Sequence, residues 1–152
     1  MMIRLKVGDP APAINATDQD GNRIRLEDFK GFNIILYFYP RDNTPGCTAQ
    51  ACNLRDNEGF LLSKGFKIIG VSADSEQSHK NFISKYVLPF PLISDKEKKV
   101  IRDYGVWGKK RLYGKEYDGI FRTTFVISEK GIINQIITDV KTRDHAAQIE
   151  LD

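Results

Sequence analysis

The chain is patterned as apolar runs alternating with helix-spaced apolar positions. Ile34-Ile35-Leu36-Tyr37-Phe38-Tyr39 has no polar interruption, so Asn33 to Tyr39 predicts a strand covered on both faces. A second run, Phe66 to Ala73, predicts another buried strand. Between the two, Cys47, Ala51, Leu54 and Leu61 recur at helical spacing, with Glu58 as the exception. A helix is therefore expected from about Gly46 to Ser63, stopped by Gly65. Ser75, with Ser78 in reserve, caps a helix to about Tyr86.

The two prolines of Leu88-Pro89-Phe90-Pro91-Leu92-Ile93-Ser94 predict an edge or connecting strand. Lys96 to Tyr104 predicts a helix, and Gly105 to Gly119, rich in Gly, aromatic and basic residues, a loop. Thr123 to Ser128 and Ile132 to Thr138 predict strands joined as a hairpin by Glu129-Lys130-Gly131, and Thr142 caps a last helix to the C-terminus. Residues 1–12 are expected to be extended. Ala13 to Thr17 and Arg23 to Leu26 flank the turn Asp18-Gln19-Asp20-Gly21-Asn22 as a hairpin, and Leu26 to Lys30 forms a single helical turn ended by Gly31.

This order predicts an α/β domain with a mixed central sheet, flanking helices and an N-terminal β-hairpin. A right-handed crossover between the two core strands lays the first long helix on one sheet face. The Pro40–Cys47 turn then sits at the carboxyl end of a central strand, where open α/β sheets place their sites. A length of 152 residues, without repeats or linker, predicts one domain spanning 1–152.

Composition changes this picture little. The chain is 41% apolar and 28% charged with a formal charge of +3, which gives no concentrated basic face and no expectation of nucleic acid. No apolar run approaches the roughly 20 residues of a membrane span, so no membrane partner is expected. Met1 to Lys6 lacks the apolar core of a signal peptide, which makes a cytoplasmic protein the default. Two cysteines do not make a disulfide framework; in a reducing compartment such a pair is catalytic, metal-binding or merely buried.

Both cysteines fall in the turn and helix after the first core strand. Cys47 lies in the helix's first turn, where unpaired backbone N–H groups and the helix dipole favour a thiolate and can hold an oxygen gaining negative charge. Thr44 can donate its hydroxyl to that sulfur or to a substrate, and Pro40 and Pro45 stiffen the turn. An ordinary buried cysteine at a helix start stays open as the alternative. Cys52 follows five residues later, with its Cα roughly 8–9 Å away and about 140° round the axis. A disulfide tolerates at most about 7 Å, so the two sulfurs bond only if this part of the helix unwinds.

Cys-x-x-Cys spacing is absent. Zinc would need two further ligands, and His79 and His145 lie far along the chain in expected helical regions, so no metal is expected. Neither histidine suggests a Cys–His dyad. Phe38, Tyr39 and Trp107 are candidate pocket walls or ordinary core, and Lys109-Lys110-Arg111 reads chiefly as a solvated loop.

Pro40-x-x-x-Thr44-x-x-Cys47 resembles the active-site motif of the peroxiredoxins, and Thr44-Pro45-Gly46-Cys47-Thr48-Ala49-Gln50-Ala51-Cys52 is similar to the bacterioferritin comigratory protein (PrxQ) subfamily. The likeness extends through Gly8-Asp9-x-Ala11-Pro12, Gly70-Val71-Ser72-x-Asp74, Leu92-x-Ser94-Asp95 and Arg122-x-Thr124-Phe125-x-Ile127. It implies a thioredoxin-like fold and a cysteine peroxidase without cofactor. In that scheme Cys47 attacks the hydroperoxide, Thr44 and Arg122 bind the peroxide and stabilise the thiolate, Pro40 shields the sulfur, and Cys52 resolves the sulfenic acid within the same helix. Thioredoxin or a similar dithiol donor would reduce the disulfide. Gln50 stands where many members carry Glu, which makes the hydrogen-bond network there neutral. An intramolecular resolving cysteine removes the need for a dimer, so a monomer is expected. Two rival functions share the same residues: a thiol–disulfide oxidoreductase, and a redox sensor or holdase.

Overall fold

The structure is a computed structural model that describes residues 3–151; Met1, Met2 and Asp152 lie outside the described residues. An extended lead-in is followed by a hairpin of β1 (Asn15–Thr17) and β2 (Arg23–Arg25) and by a 3-10 turn, Leu26–Phe29. Then come β3 (Asn33–Phe38), α1 (Pro45–Asp56), α2 (Glu58–Ser63), β4 (Phe66–Ser72), α3 (Glu76–Tyr86), β5 (Leu92–Ser94) and α4 (Lys99–Asp103). A second hairpin, β6 (Trp107–Leu112) and β7 (Lys115–Ile120), leads into β8 (Thr123–Ile127), β9 (Ile133–Ile137) and a short 3-10 turn, Ala146–Gln148.

Five strands form the central sheet in the order β5-β4-β3-β8-β9. β3, β4 and β5 run parallel, while β8 is antiparallel to β3 and β9 to β8. This is the mixed sheet of a thioredoxin-like fold, with β5, which follows Pro89 and Pro91, at one edge as expected. At the other edge the lead-in bonds to the start of β9 and the turn before it, through Gly8 N to Ile133 O and Ala11 N to Gly131 O, both 2.8 Å, which covers the beginning of that edge strand.

The unbroken apolar run of β3 serves two cores. Ile34, Leu36 and Phe38 face one side with Ile69, Val71, Ile101, Tyr104 and Phe125. Ile35, Tyr37 and Tyr39 face the other with Cys47, Ala51, Leu54, Leu61 and Phe82. Alternation along the pleat sends successive side chains to opposite faces, and helices cover both. Gly70 of β4 is required by packing: a Cβ there would come within 2.6 Å of Leu92 and 2.9 Å of the Tyr37 ring.

Four expectations need correction. The helix from Gly46 to Ser63 breaks into α1 and α2 at Asn57, whose side-chain amide donates to the Asn53 carbonyl at 2.8 Å and competes with the helix's own ladder. The expected loop Gly105–Gly119 is the β6–β7 hairpin, paired from Trp107–Ile120 to Leu112–Lys115. The helix over Lys96 to Tyr104 shortens to α4, because the Asp95 carboxylate takes the Ile101 N–H at 2.8 Å and the chain turns at Lys98 before the helix begins. No helix starts at Thr142; the segment makes only the three-residue 3-10 turn and is held by side-chain bonds instead, such as Gln148 Nε2 to Asp139 O at 2.8 Å.

Candidate active site

The turn from Pro40 to Thr44 carries the chain from β3 into α1. Thr44 is the N-cap in extended conformation and Pro45 occupies the first helical position, where its missing N–H costs nothing and its fixed φ suits the helix. Cys47 therefore lies in the first turn, as expected, and is 1% exposed. It packs in the core cluster that α1 shares with β3, in the helical turn whose backbone N–H groups have no intrahelical partner.

Arg122 reaches this sulfur from the two-residue link between β7 and β8. Its Nη2 lies 3.4 Å from Cys47 Sγ and its Nη1 donates to Gln50 Oε1 at 2.8 Å. One planar fork thus holds the Cys47 sulfur and the residue one turn on. Gly46 leaves space for it, since a Cβ there would stand 3.1 Å from Arg122 Nη2. Gln50, fully buried, keeps the network neutral apart from the guanidinium and the sulfur. Among the described residues its Nε2 and the Tyr37 hydroxyl are buried without a protein partner. Burial above all, with Cys47 and Asp42 as neighbours, raises the Tyr37 pKa well above that of an ordinary phenol, so the ring stays neutral.

The Thr44 hydroxyl donates to the Arg41 carbonyl at 2.9 Å, a local bond that short polar side chains favour in turns. Pro40 is half-buried at the end of β3. Cys52 is half-buried on α1, and both thiols are free, as an intact helix requires. Of the proposed walls, Tyr39 shares the Cys47 face, whereas Phe38 packs on the opposite face against Tyr104 and Phe125. Trp107 lies beneath the Lys98 ammonium, 5.2 Å from the ring centre. Lys110 is not free solvent-facing charge: its ammonium donates to Ile120 O at 2.9 Å, and burial, then Arg122, lowers its pKa.

A buried polar cluster next to the turn has no counterpart in the sequence reading. The Asp42 carboxylate accepts from Tyr39 Oη at 2.6 Å and from Ser78 Oγ at 2.8 Å, and pairs with His79 Nδ1 at 2.7 Å. His79 lies in α3, as expected, but His145 stands just before the last 3-10 turn, bonded to Thr124 Oγ1 and Gln148 Oε1, both at 2.8 Å. Asp42, Asp74 and His79 bring ligand-type atoms within 4.8 Å of one another; the carboxylates and ring are already paired with internal donors and acceptors.

This geometry can be set beside known proteins. The model of the AhpC/TSA family matches residues 7–136. The chain is 45% identical over 144 residues to peroxiredoxin Bcp of Escherichia coli K12, covering 95% of this chain and 92% of that protein. It is 44% identical over 147 residues to a putative peroxiredoxin bcp of Coxiella burnetii, covering 97% of each. Among solved structures, the bacterioferritin comigratory protein of Xanthomonas campestris superposes with a TM-score of 0.85 at 34% identity, over 97% of this chain and 94% of that one. The chain belongs to the AhpC/TSA family, and within it to the peroxiredoxins of the Bcp/PrxQ type.

Proposed function

We propose that this chain, 1–152, works as a single thioredoxin-like domain that reduces hydrogen peroxide and organic hydroperoxides through Cys47 and Cys52. The observation that carries the reading is the Arg122 guanidinium set on the buried sulfur of Cys47 at the start of α1. A cationic donor and free helix N–H groups favour a thiolate there and hold the oxygens of a peroxide. The thiolate attacks one peroxide oxygen; the S–O bond forms as the O–O bond breaks, and the alcohol or water leaves with a proton. Sulfur has then given up two electrons and is a sulfenic acid. Cys52 displaces that oxygen as water, which leaves a Cys47–Cys52 disulfide.

Support for an alkyl substrate comes from the Xanthomonas campestris bacterioferritin comigratory protein, which is described by its alkyl peroxide reduction activity. Pro40 shields the sulfur and Thr44 binds peroxide after its hydroxyl leaves Arg41. Recycling is by thioredoxin or a similar dithiol, the protein works as a monomer, and its place is the cytoplasm. No helix among the described residues is long and apolar enough to cross a membrane.

A turnover assay with peroxide, thioredoxin and thioredoxin reductase tests this. Sustained NADPH oxidation that Cys47→Ser abolishes is the expected result. Full activity in Cys47→Ser overturns the assignment. Disulfide reduction without peroxide would mark an oxidoreductase, and slow reduction after a single oxidation a sensor.

A further inference from the structure

Closing the Cys47–Cys52 disulfide requires α1 to unwind between the two residues, and the structure shows what stays in place when it does. Beyond Cys52 the helix is pinned: Asn53 Oδ1 accepts the Ala146 N–H at 2.8 Å, Asn53 Nδ2 donates to Arg143 O at 3.1 Å, and Arg55 Nη1 donates to Tyr86 O at 2.8 Å. Before Cys47 the pin is Asp42. Its backbone N–H donates to Asp74 Oδ2 at 2.8 Å, and Asp74 is fixed in turn by Ser72 Oγ at 2.7 Å. Its carboxylate holds Tyr39, Ser78 and His79. Between the pins the backbone turns at Asn43 with φ +59°, a conformation that Asn tolerates better than most residues.

His79 closes this system. The ring is fully buried, and its Nε2 lies 2.9 Å from the Ile93 carbonyl while Nδ1 faces Asp42. The ring thus bridges the Asp42 carboxylate and the Ile93 carbonyl through its two nitrogens. It therefore ties the turn to α3 and β5 at once.

We propose that His79, acting through Asp42, is a positioning residue for the peroxide reaction at Cys47; this rests on the peroxidase reading above. The pair fixes the Pro40–Thr44 turn against the sheet end. Pro40 and Thr44 keep their places at the two ends of that turn, and unwinding is confined to the segment between Asn43 and Asn53. The displacement at oxygen needs a tightly set approach, and a small misplacement of the groups around the sulfur costs rate steeply.

The test uses reduced full-length protein and the variants His79→Gln, Asp42→Asn and the double substitution. Cys47 oxidation by hydrogen peroxide is followed in rapid mixing, beside alkylation by iodoacetamide, which needs the thiolate but not the peroxide geometry. Each single variant is expected to lose about 10-fold or more in the peroxide rate constant, with alkylation within about 3-fold of wild type. The double variant is expected to be no slower than the worse single one, as one clamp demands. Peroxide rates within about 2-fold of wild type, multiplying losses in the double variant, or parallel loss of alkylation would each overturn the proposal. If His79→Gln does not fold, Ser78→Ala removes another donor to Asp42 and is judged by the same pair of rates. A wild-type protein inert to peroxide overturns the peroxidase reading itself, an outcome distinct from all of these.

Discussion

Arg122 and Cys47 lie 75 positions apart in sequence, yet Nη2 of one stands 3.4 Å from Sγ of the other. The same guanidinium is braced by Gln50 at 2.8 Å, so its direction is set as well as its charge. A lysine keeps the charge and loses the fork. Arg122→Lys is expected to slow Cys47 oxidation by about 10- to 100-fold, the worth of a hydrogen bond to a charged group. Rapid-mixing rates with peroxide check this, and an unchanged rate would show that Arg122 has no part in the chemistry.

Gly46→Ala probes the same contact from the helix side. The new methyl would stand 3.1 Å from Arg122 Nη2, so the guanidinium must give by a few tenths of an ångström and its contact with the sulfur loosens. Oxidation is expected to slow about 3- to 10-fold with little change in urea stability, since alanine also favours a helix. The loss should vanish in an Arg122→Lys background; a full additional loss there would mean that the methyl acts elsewhere.

The legibility of this chain in its sequence divides by range. The unbroken apolar run of β3 and the helical spacing of Cys47, Ala51, Leu54 and Leu61 are local patterns, and they placed the central strand, the first helix and the site at their junction. The β6–β7 hairpin escaped because Trp107-Gly108-Lys109-Lys110-Arg111-Leu112 shows no apolar alternation; most of the hairpin is exposed. Its one legible signal was the turn Tyr113-Gly114, where both residues take positive φ, 52° and 77°, as a two-residue hairpin turn requires. Arg122 was singled out by family resemblance alone, since one arginine among 23 basic residues carries no local mark. The Asp42–His79 pair spans 37 positions and depends on how β3 and α3 meet, so nothing in either segment announces it.

Val87 ends α3 in the left-handed region, at φ +51°, although it is β-branched and 76% exposed. Little packing compensates for that strain. Val87→Gly is expected to raise stability by about 1 kcal/mol, because glycine adopts this C-terminal geometry without the penalty. Urea unfolding of the reduced protein measures it, and a loss of stability would show that the valine side chain matters more than its backbone.

His145 sets an acid limit on the C-terminal segment. Burial lowers its pKa below the ordinary 6.5; the Gln148 bond raises it, Arg122 lowers it, and the net direction is down. The unfolded chain therefore binds this proton at a higher pH than the folded one. Its contribution to stability is complete above about pH 6.5 and is lost as pH falls towards the folded value. Urea midpoints are expected to drop from about pH 7.5 to about pH 5.5, and His145→Gln to flatten that drop. An equal slope in the variant would assign the effect to other groups.

The most direct test of a two-cysteine peroxidase is intact mass with thiol titration under denaturing conditions, before and after one equivalent of hydrogen peroxide. The expected product is a monomer that has lost both thiols and two hydrogens, the mark of a Cys47–Cys52 disulfide and of an unwound start to α1. Loss of one thiol with a gain of oxygen would remove Cys52 from the mechanism, and two intact thiols would contradict the account as a whole.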